Sequence, residues 1–146
     1  MSNIRSVIAM KGRTVHTVLP SNTVFEAVCK MVQYNLGALV VVDQTGMVRG
    51  ILSERDYLRK VAVEGRSSRT TFVQEIMTED VICISPETDA DACLKLMAKH
   101  RIRHLPVLDG SELMGVLSVR DLVDHLASEK EQTIQELTHY IQGGYA

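Results

Sequence analysis

The 146-residue chain is predicted to fold as an α+β protein made of two pseudo-symmetric repeats, each a small sheet packed on helices. Two observations carry that expectation. The first is self-similarity, which is sought first because a missed repeat misassigns the whole fold. Thr17–Asp43 lies over Cys83–Asp109, with Pro20/Pro86, Met31/Met97, Leu39/Leu105, Val41/Val107 and Asp43/Asp109 coinciding. One residue then drops out in a turn, and Gly50–Asp56 (GILSERD) lies over Gly115–Asp121 (GVLSVRD) with five of seven positions identical. The second observation is a change of period inside each copy, from helical spacing of apolar residues to short aliphatic runs.

The elements follow in order. Val7–Lys11 is a candidate lead-in helix, and a proline-ended extended piece then leads into a helix with Val24, Ala27, Val28 and Met31 at helical spacing. Ala90, Cys93, Leu94 and Met97 repeat that spacing in the second copy. Leu39–Val42 and Leu105–Leu108 are short and aliphatic, and each ends in Asp and a Gly-bearing turn before a second run, Val48–Leu52 or Leu113–Leu117. That is a hairpin in each copy. Ser53 and Ser118 then stand as N-caps, opening a helix over Glu54–Val63 and a longer one from Val119 toward Ile141. Between the copies, Glu64–Thr71 is a polar loop and Val73–Met77 a short connecting helix. The expected division is a lead-in over 1–16, repeat 1 over 17–63, a linker with a short helix over 64–82, repeat 2 over 83–127 and a helical extension over 128–146. Ile134, Leu137 and Ile141 form an apolar stripe in that extension, which must pack on the body or on a partner subunit.

The chain is long enough to bury a core but too short for two independent ones. Sixteen Lys and Arg stand against 18 Asp and Glu, a net charge of −2, which offers no field for a nucleic-acid backbone or an anionic membrane. The longest apolar run, Ala38–Val42, is far below a membrane span, so neither nucleic acid nor membrane is an expected partner. Cys29, Cys83 and Cys93 are too widely spaced for a disulfide framework or a metal knuckle. A reducing compartment is expected: the cytoplasm, or an organelle matrix if a transit peptide has been removed.

Two features carry chemistry. The S-x-x-D of Ser53–Asp56 and Ser118–Asp121 is a capping box, worth about 1 kcal/mol and sufficient to explain either copy alone. Its alternative reading starts from Gly50 and Gly115, which let a ligand or another backbone come close to a strand that ends at a helix N-terminus. There an Asp offers two acceptors to vicinal hydroxyls, and ribose is the natural candidate. Arg101-Ile102-Arg103-His104 is a local basic cluster, either a solvated helix end or a clamp for phosphate oxygens. The equivalent stretch of the first copy, Asn35-Leu36-Gly37-Ala38, is uncharged. No catalytic residues are assigned, because no G-x-S-x-G turn, P-loop or G-x-G-x-x-G exists. No metal site is assigned either, since His100/His104 is a lone i, i+4 pair.

With R-H-L-P-V-L-D before the second hairpin and G-x-L-S-x-R-D after both, the repeat resembles a tandem pair of CBS domains over roughly residues 7 to 127. The first copy departs from that pattern, having Gly37-Ala38-Leu39-Val40 where the family often carries a basic residue and a proline. The resemblance implies a regulatory module whose clefts take adenine nucleotides (AMP, ADP, ATP) or a dinucleotide such as NAD. It implies no catalytic cofactor. Carried over by position, site A would use Ile51, Ser53, Arg55, Asp56, Ile102, Arg103 and His104, with Cys83 near the base. Site B would use Val116, Ser118, Arg120, Asp121, Leu36, Gly37 and Ala38, with Thr17 near the base. Such modules commonly pair into a disc-shaped homodimer through their helices. The expectation is therefore a non-enzymatic nucleotide sensor that modulates an unidentified partner protein. Its rivals are an interaction scaffold with empty clefts and a small nucleotide-converting enzyme.

Overall fold

The computed structural model describes residues 3–12 and 14–141. In chain order the elements are α1 (Arg5–Lys11), β1 (Thr17–Val18), α2 (Val24–Tyr34), β2 (Ala38–Val42), β3 (Val48–Ser53) and α3 (Glu54–Tyr57), which continues as a π-helical turn over Leu58–Ala62. Then come α4 (Val73–Ile76), α5 (Ala90–His100), β4 (His104–Asp109), β5 (Glu112–Ser118) and α6 (Val119–His139).

Capping chemistry starts three of these helices. Thr23, Ser53 and Ser118 each accept from the amide three residues on, and Glu26, Asp56 and Asp121 answer the cap amides, so α2, α3 and α6 begin at full capping boxes. At the other end, α2 and α5 stop on left-handed residues at equivalent positions, Asn35 and Arg101, each with φ of 54°. Asn adopts this conformation readily. Arg does so at a cost of about 1 kcal/mol.

The hairpins match residue for residue. Ala38 faces Ser53 and Leu39 faces Leu52 in the first, while His104 faces Ser118 and Leu105 faces Leu117 in the second. A bulge falls at Val41/Val42 in one and Val107/Leu108 in the other. β1 adds a parallel edge to β2, giving a three-stranded sheet beside a two-stranded one. Ile84 makes the corresponding parallel bridge to Val107.

Two cores result instead of one, and neither is built by one repeat alone. Leu39, Val41, Leu52, Val24, Ala27 and Met31 pack with Val73 and Ile76 of α4, the lead-in to the second repeat. Leu105, Val107, Leu117, Cys93, Met97 and Leu122 pack with Ile4, Val7 and Ile8 of the N-terminal segment. Each sheet needs an apolar cover, and each takes it from the lead-in of the other repeat. That exchange draws the repeats together and places each repeat's helix start beside the other's lead-in. The α6 stripe does not pack on the body: Ile134, Leu137 and Ile141 are 54 %, 57 % and 77 % exposed.

Candidate functional site

A cleft of about 560 Å³, within the usual range for small-molecule sites, opens between the repeats and is called cleft A. The first repeat contributes Gly37, Ile51, Ser53, Glu54, Arg55, Asp56 and Leu58. The second contributes Arg101, Ile102, Arg103 and His104, and the segment after α4 adds Thr78, Asp80, Val81 and Ile82. All the residues expected at site A are therefore brought together except Cys83. That residue is half-buried and does not line the cleft, because the wall is completed before it, by Thr78 to Ile82.

Why the wall forms there is clear from the backbone. α4 ends at Ile76, and Thr78 exchanges two hydrogen bonds with Ile51, donating to its carbonyl at 2.9 Å and accepting from its amide at 3.0 Å. Gly50 makes this approach possible. A Cβ at Gly50 would lie 2.8 Å from Met77 Sδ and 2.9 Å from the Thr78 carbonyl. At Gly115 a Cβ would meet Ile8 Cδ1 at 3.3 Å. Both glycines thus make room for lead-in segments and not for a ligand.

The chemistry of cleft A is mixed in charge. Three guanidiniums (Arg55, Arg101, Arg103) and three carboxylates (Glu54, Asp56, Asp80) line it beside the apolar side chains of Ile51, Val81 and Ile102. Asp56 Oδ2 accepts from the Ser53 amide at 2.9 Å, and its Oδ1 lies 3.1 Å from Lys60 Nζ, one turn along the same helix. His104 is held below its ordinary pKa, first by burial and then by Lys11, with Arg103 adding to Lys11 and Asp121 opposing them.

Of the residues expected at site B, Val116, Ser118 and Asp121 come together. Gly37 lines cleft A, where the His104 ring stands 3.2 Å from the place of its absent Cβ. Its carbonyl accepts from the Glu54 amide at 3.0 Å, which stitches this pre-strand segment to its own repeat's helix start. Arg103 does the same for the Val119 amide at 2.9 Å. Leu36 packs against the first core and Ala38 is buried opposite Ser53. Thr17 gives its carbonyl to Lys30 Nζ at 2.6 Å. Arg120 is 89 % exposed, 4.0 Å from Asp124 on its own helix. Ser118 caps α6 as expected. Val116 and Asp121 are joined by a residue the sequence reading did not assign: Lys11 Nζ bonds the Val116 carbonyl and Asp121 Oδ2, each at 2.6 Å. Burial opposes ionisation of Asp121, yet Lys11 and the Ser118 amide outweigh it and keep the carboxyl below its ordinary pKa.

Lys11, Thr78 and Asp80 were missed because they precede the aligned copies. Val7–Lys11 and Val73–Met77 are equivalent lead-ins, Val7 lying over Val73 and Lys11 over Met77, but that correspondence does not mark Lys11, Thr78 or Asp80 as reaching a site.

Two thiols are poorly suited to nucleophilic work: burial raises Cys83, and burial with Asp89 pushes Cys93 up to about 11. Among the described residues no group of three or more His, Cys, Asp or Glu is placed to hold a metal, and no helix is long and apolar enough to cross a membrane.

Comparison with known proteins agrees with this architecture. A family model for the CBS domain matches residues 6–63 and 73–128. The chain is 45 % identical over 152 residues to the CBS domain-containing protein CBSX3, mitochondrial, of Arabidopsis thaliana, covering 99 % of this chain and 74 % of that one. It is 34 % identical to the CBS domain-containing protein YhcV of Bacillus subtilis (strain 168), over 88 % and 89 % of the two chains. A solved structure of a protein with CBS domains from Burkholderia ambifaria MC40-6 superposes with a TM-score of 0.83 at 42 % identity, covering 87 % of this chain and 95 % of that one. Two matched domains in one short chain, each completed by the other's lead-in, place this protein in the CBS-domain family, as a tandem pair of a module that is regulatory rather than catalytic and binds adenosine ligands.

Proposed function

We propose that this chain is a non-enzymatic sensor that binds an adenine nucleotide, AMP in the first instance, in cleft A and reports its occupancy to a partner protein. The observation that carries the proposal is the coincidence in one cleft of an Asp at a helix start, apolar walls and three guanidiniums. Asp56 is the acceptor for the ribose hydroxyls. Ile51, Val81 and Ile102 are the faces for adenine. Arg101 and Arg103, with Arg55, hold the phosphate through charge-assisted hydrogen bonds. The reporting step is linkage: a nucleotide shifts the relative setting of the repeats only by its difference in affinity for two arrangements, typically about 1 to 3 kcal/mol. A second copy of the chain is the proposed cover for the exposed α6 stripe, and the compartment is a reducing one. An organelle matrix is favoured by the mitochondrial label of the similar Arabidopsis protein.

Titration calorimetry with AMP and with adenosine tests this reading. AMP is expected to bind more tightly than adenosine, and Arg103→Ala should weaken AMP by roughly 10- to 100-fold, the worth of one charge-assisted bond, while leaving adenosine nearly unchanged. Equal loss of both ligands would remove the phosphate role of Arg103. No binding of either would leave the scaffold reading, and consumption of the nucleotide would favour the enzyme.

A further inference from the structure

We infer that Lys11 is an internal competitor at the site equivalent to cleft A in the second repeat: its ammonium occupies the place where Asp121 and Val116 would receive a nucleoside, and so sets the two equivalent sites apart. The inference rests on the nucleotide reading given above, and it begins with a difference between two lead-ins. α4 stops at Ile76, so Thr78 can bridge to Ile51 through its backbone and leave the adjoining cleft open. α1 stays helical to Lys11, one aligned position beyond the end of α4, and is followed by Gly12 at a φ of 90°. No backbone bridge to Val116 forms there among the described residues. The Lys11 side chain takes over that role, and its ammonium spans from the Val116 carbonyl on β5 to Asp121 on α6.

Both carboxylates have a lysine, but in different places. Lys60, the partner of Asp56, comes from one turn along the same helix and does not line cleft A. Lys11 comes from another element and bridges the two residues that would hold ribose and base. Asp121 Oδ2, which already accepts from the Ser118 amide at 2.8 Å, thereby carries a full positive charge at 2.6 Å. A ribose hydroxyl is a weaker partner than an ammonium for a carboxylate.

Opening this site does not require α1 to leave. Ile4, Val7 and Ile8 are buried in the second core, the Ile4 amide donates to the Thr88 carbonyl at 3.1 Å, and Arg5 pairs with Glu87. Lys11 itself is 40 % exposed on a four-carbon stem, so rotation of one side chain is enough. Lys11 therefore acts as a local competitor on an anchored helix. It shapes which site fills first: cleft A at low nucleotide, the second only when ligand displaces the ammonium.

Calorimetry on the full chain with adenosine and AMP, comparing the natural protein with Lys11→Met and Lys11→Arg, tests this. Lys11→Met keeps most of the stem and removes the charge. The natural chain is expected to show one tight site, and Lys11→Met a second, strengthened at least about tenfold for adenosine and AMP alike. Lys11→Arg should resemble the natural chain. Raising salt should strengthen the second site of the natural chain by weakening the internal pair, and should not do so in Lys11→Met. A gain for AMP without a gain for adenosine would overturn competition at the ribose position. A second site that is unchanged or lost in Lys11→Met, with cleft A intact, would overturn the competitor alone, loss meaning that Lys11 is itself a ligand contact. Absence of binding in every form would overturn the nucleotide reading and this inference with it.

Discussion

Cleft A and the region around Asp121 are built from equivalent positions of one sequence repeat, down to the capping boxes and the bulges, yet they differ in what faces the carboxylate. Around Asp56 the lead-in helix ends one aligned position sooner, and the chain beyond it forms an open wall with Thr78 and Ile82. Around Asp121 the lead-in remains helical and delivers Lys11. The difference teaches that duplication preserves the scaffold of a cleft while the segment entering it from the other repeat decides its content. Arg103 and His104 against Gly37 and Ala38 sharpen the asymmetry, because the basic pre-strand segment is present once.

The comparison breaks most visibly at the two equivalent glycines. Gly50→Ala drives a Cβ to 2.9 Å from the Thr78 backbone carbonyl, which cannot move without opening the bridge to Ile51. We expect a loss of roughly 2 to 3 kcal/mol, a drop in Tm on the order of 5–10 °C by calorimetry. Gly115→Ala meets only the end of the Ile8 side chain at 3.3 Å, so its change should stay within about 1 kcal/mol. Equal shifts would mean that the lead-ins press on the strands alike.

A smaller effect separates the helix ends. Arg101→Asn relieves a left-handed arginine and should stabilise the fold by about 0.5 to 1 kcal/mol while weakening AMP in cleft A. Asn35→Arg, at the same φ in the first copy, should destabilise by a similar amount and leave AMP binding unaltered, since Asn35 does not line the cleft. Denaturant midpoints together with AMP titrations check both, and a destabilised Arg101→Asn protein would show that the guanidinium makes contacts outweighing its strain.

The smallest effect is in the response to acid. His104 has a folded pKa below its ordinary 6.5, chiefly through burial, so the unfolded chain binds its proton more readily. Its contribution is present above about pH 6.5 and is lost as the pH falls through the folded value. His104→Gln should therefore flatten the decline of stability between roughly pH 7 and pH 5. The equivalent residue of the first copy, Ala38, carries no such slope. An unchanged pH profile in His104→Gln would place the proton-sensitive group elsewhere.

By itself the sequence determined every element that a local rule governs. The serines at 53 and 118 start helices because a hydroxyl beside an amide three residues on is satisfied within one turn. The aliphatic runs at Leu39 and Leu105 become strands because β-branched residues between turn signals suit a buried sheet. Repetition of these signals exposed the pairing of Asp56 with Arg103 and His104 through the family resemblance. Tertiary structure alone decided which segment covers which sheet, because the apolar faces of α1 and α4 are interchangeable in composition and nothing local assigns them. That decision brought Thr78 and Asp80 into cleft A, moved Gly37 against His104, left Ile134 and Leu137 on the surface, and set Lys11 on Asp121. Long-range contact places a charge where no spacing along the chain records it.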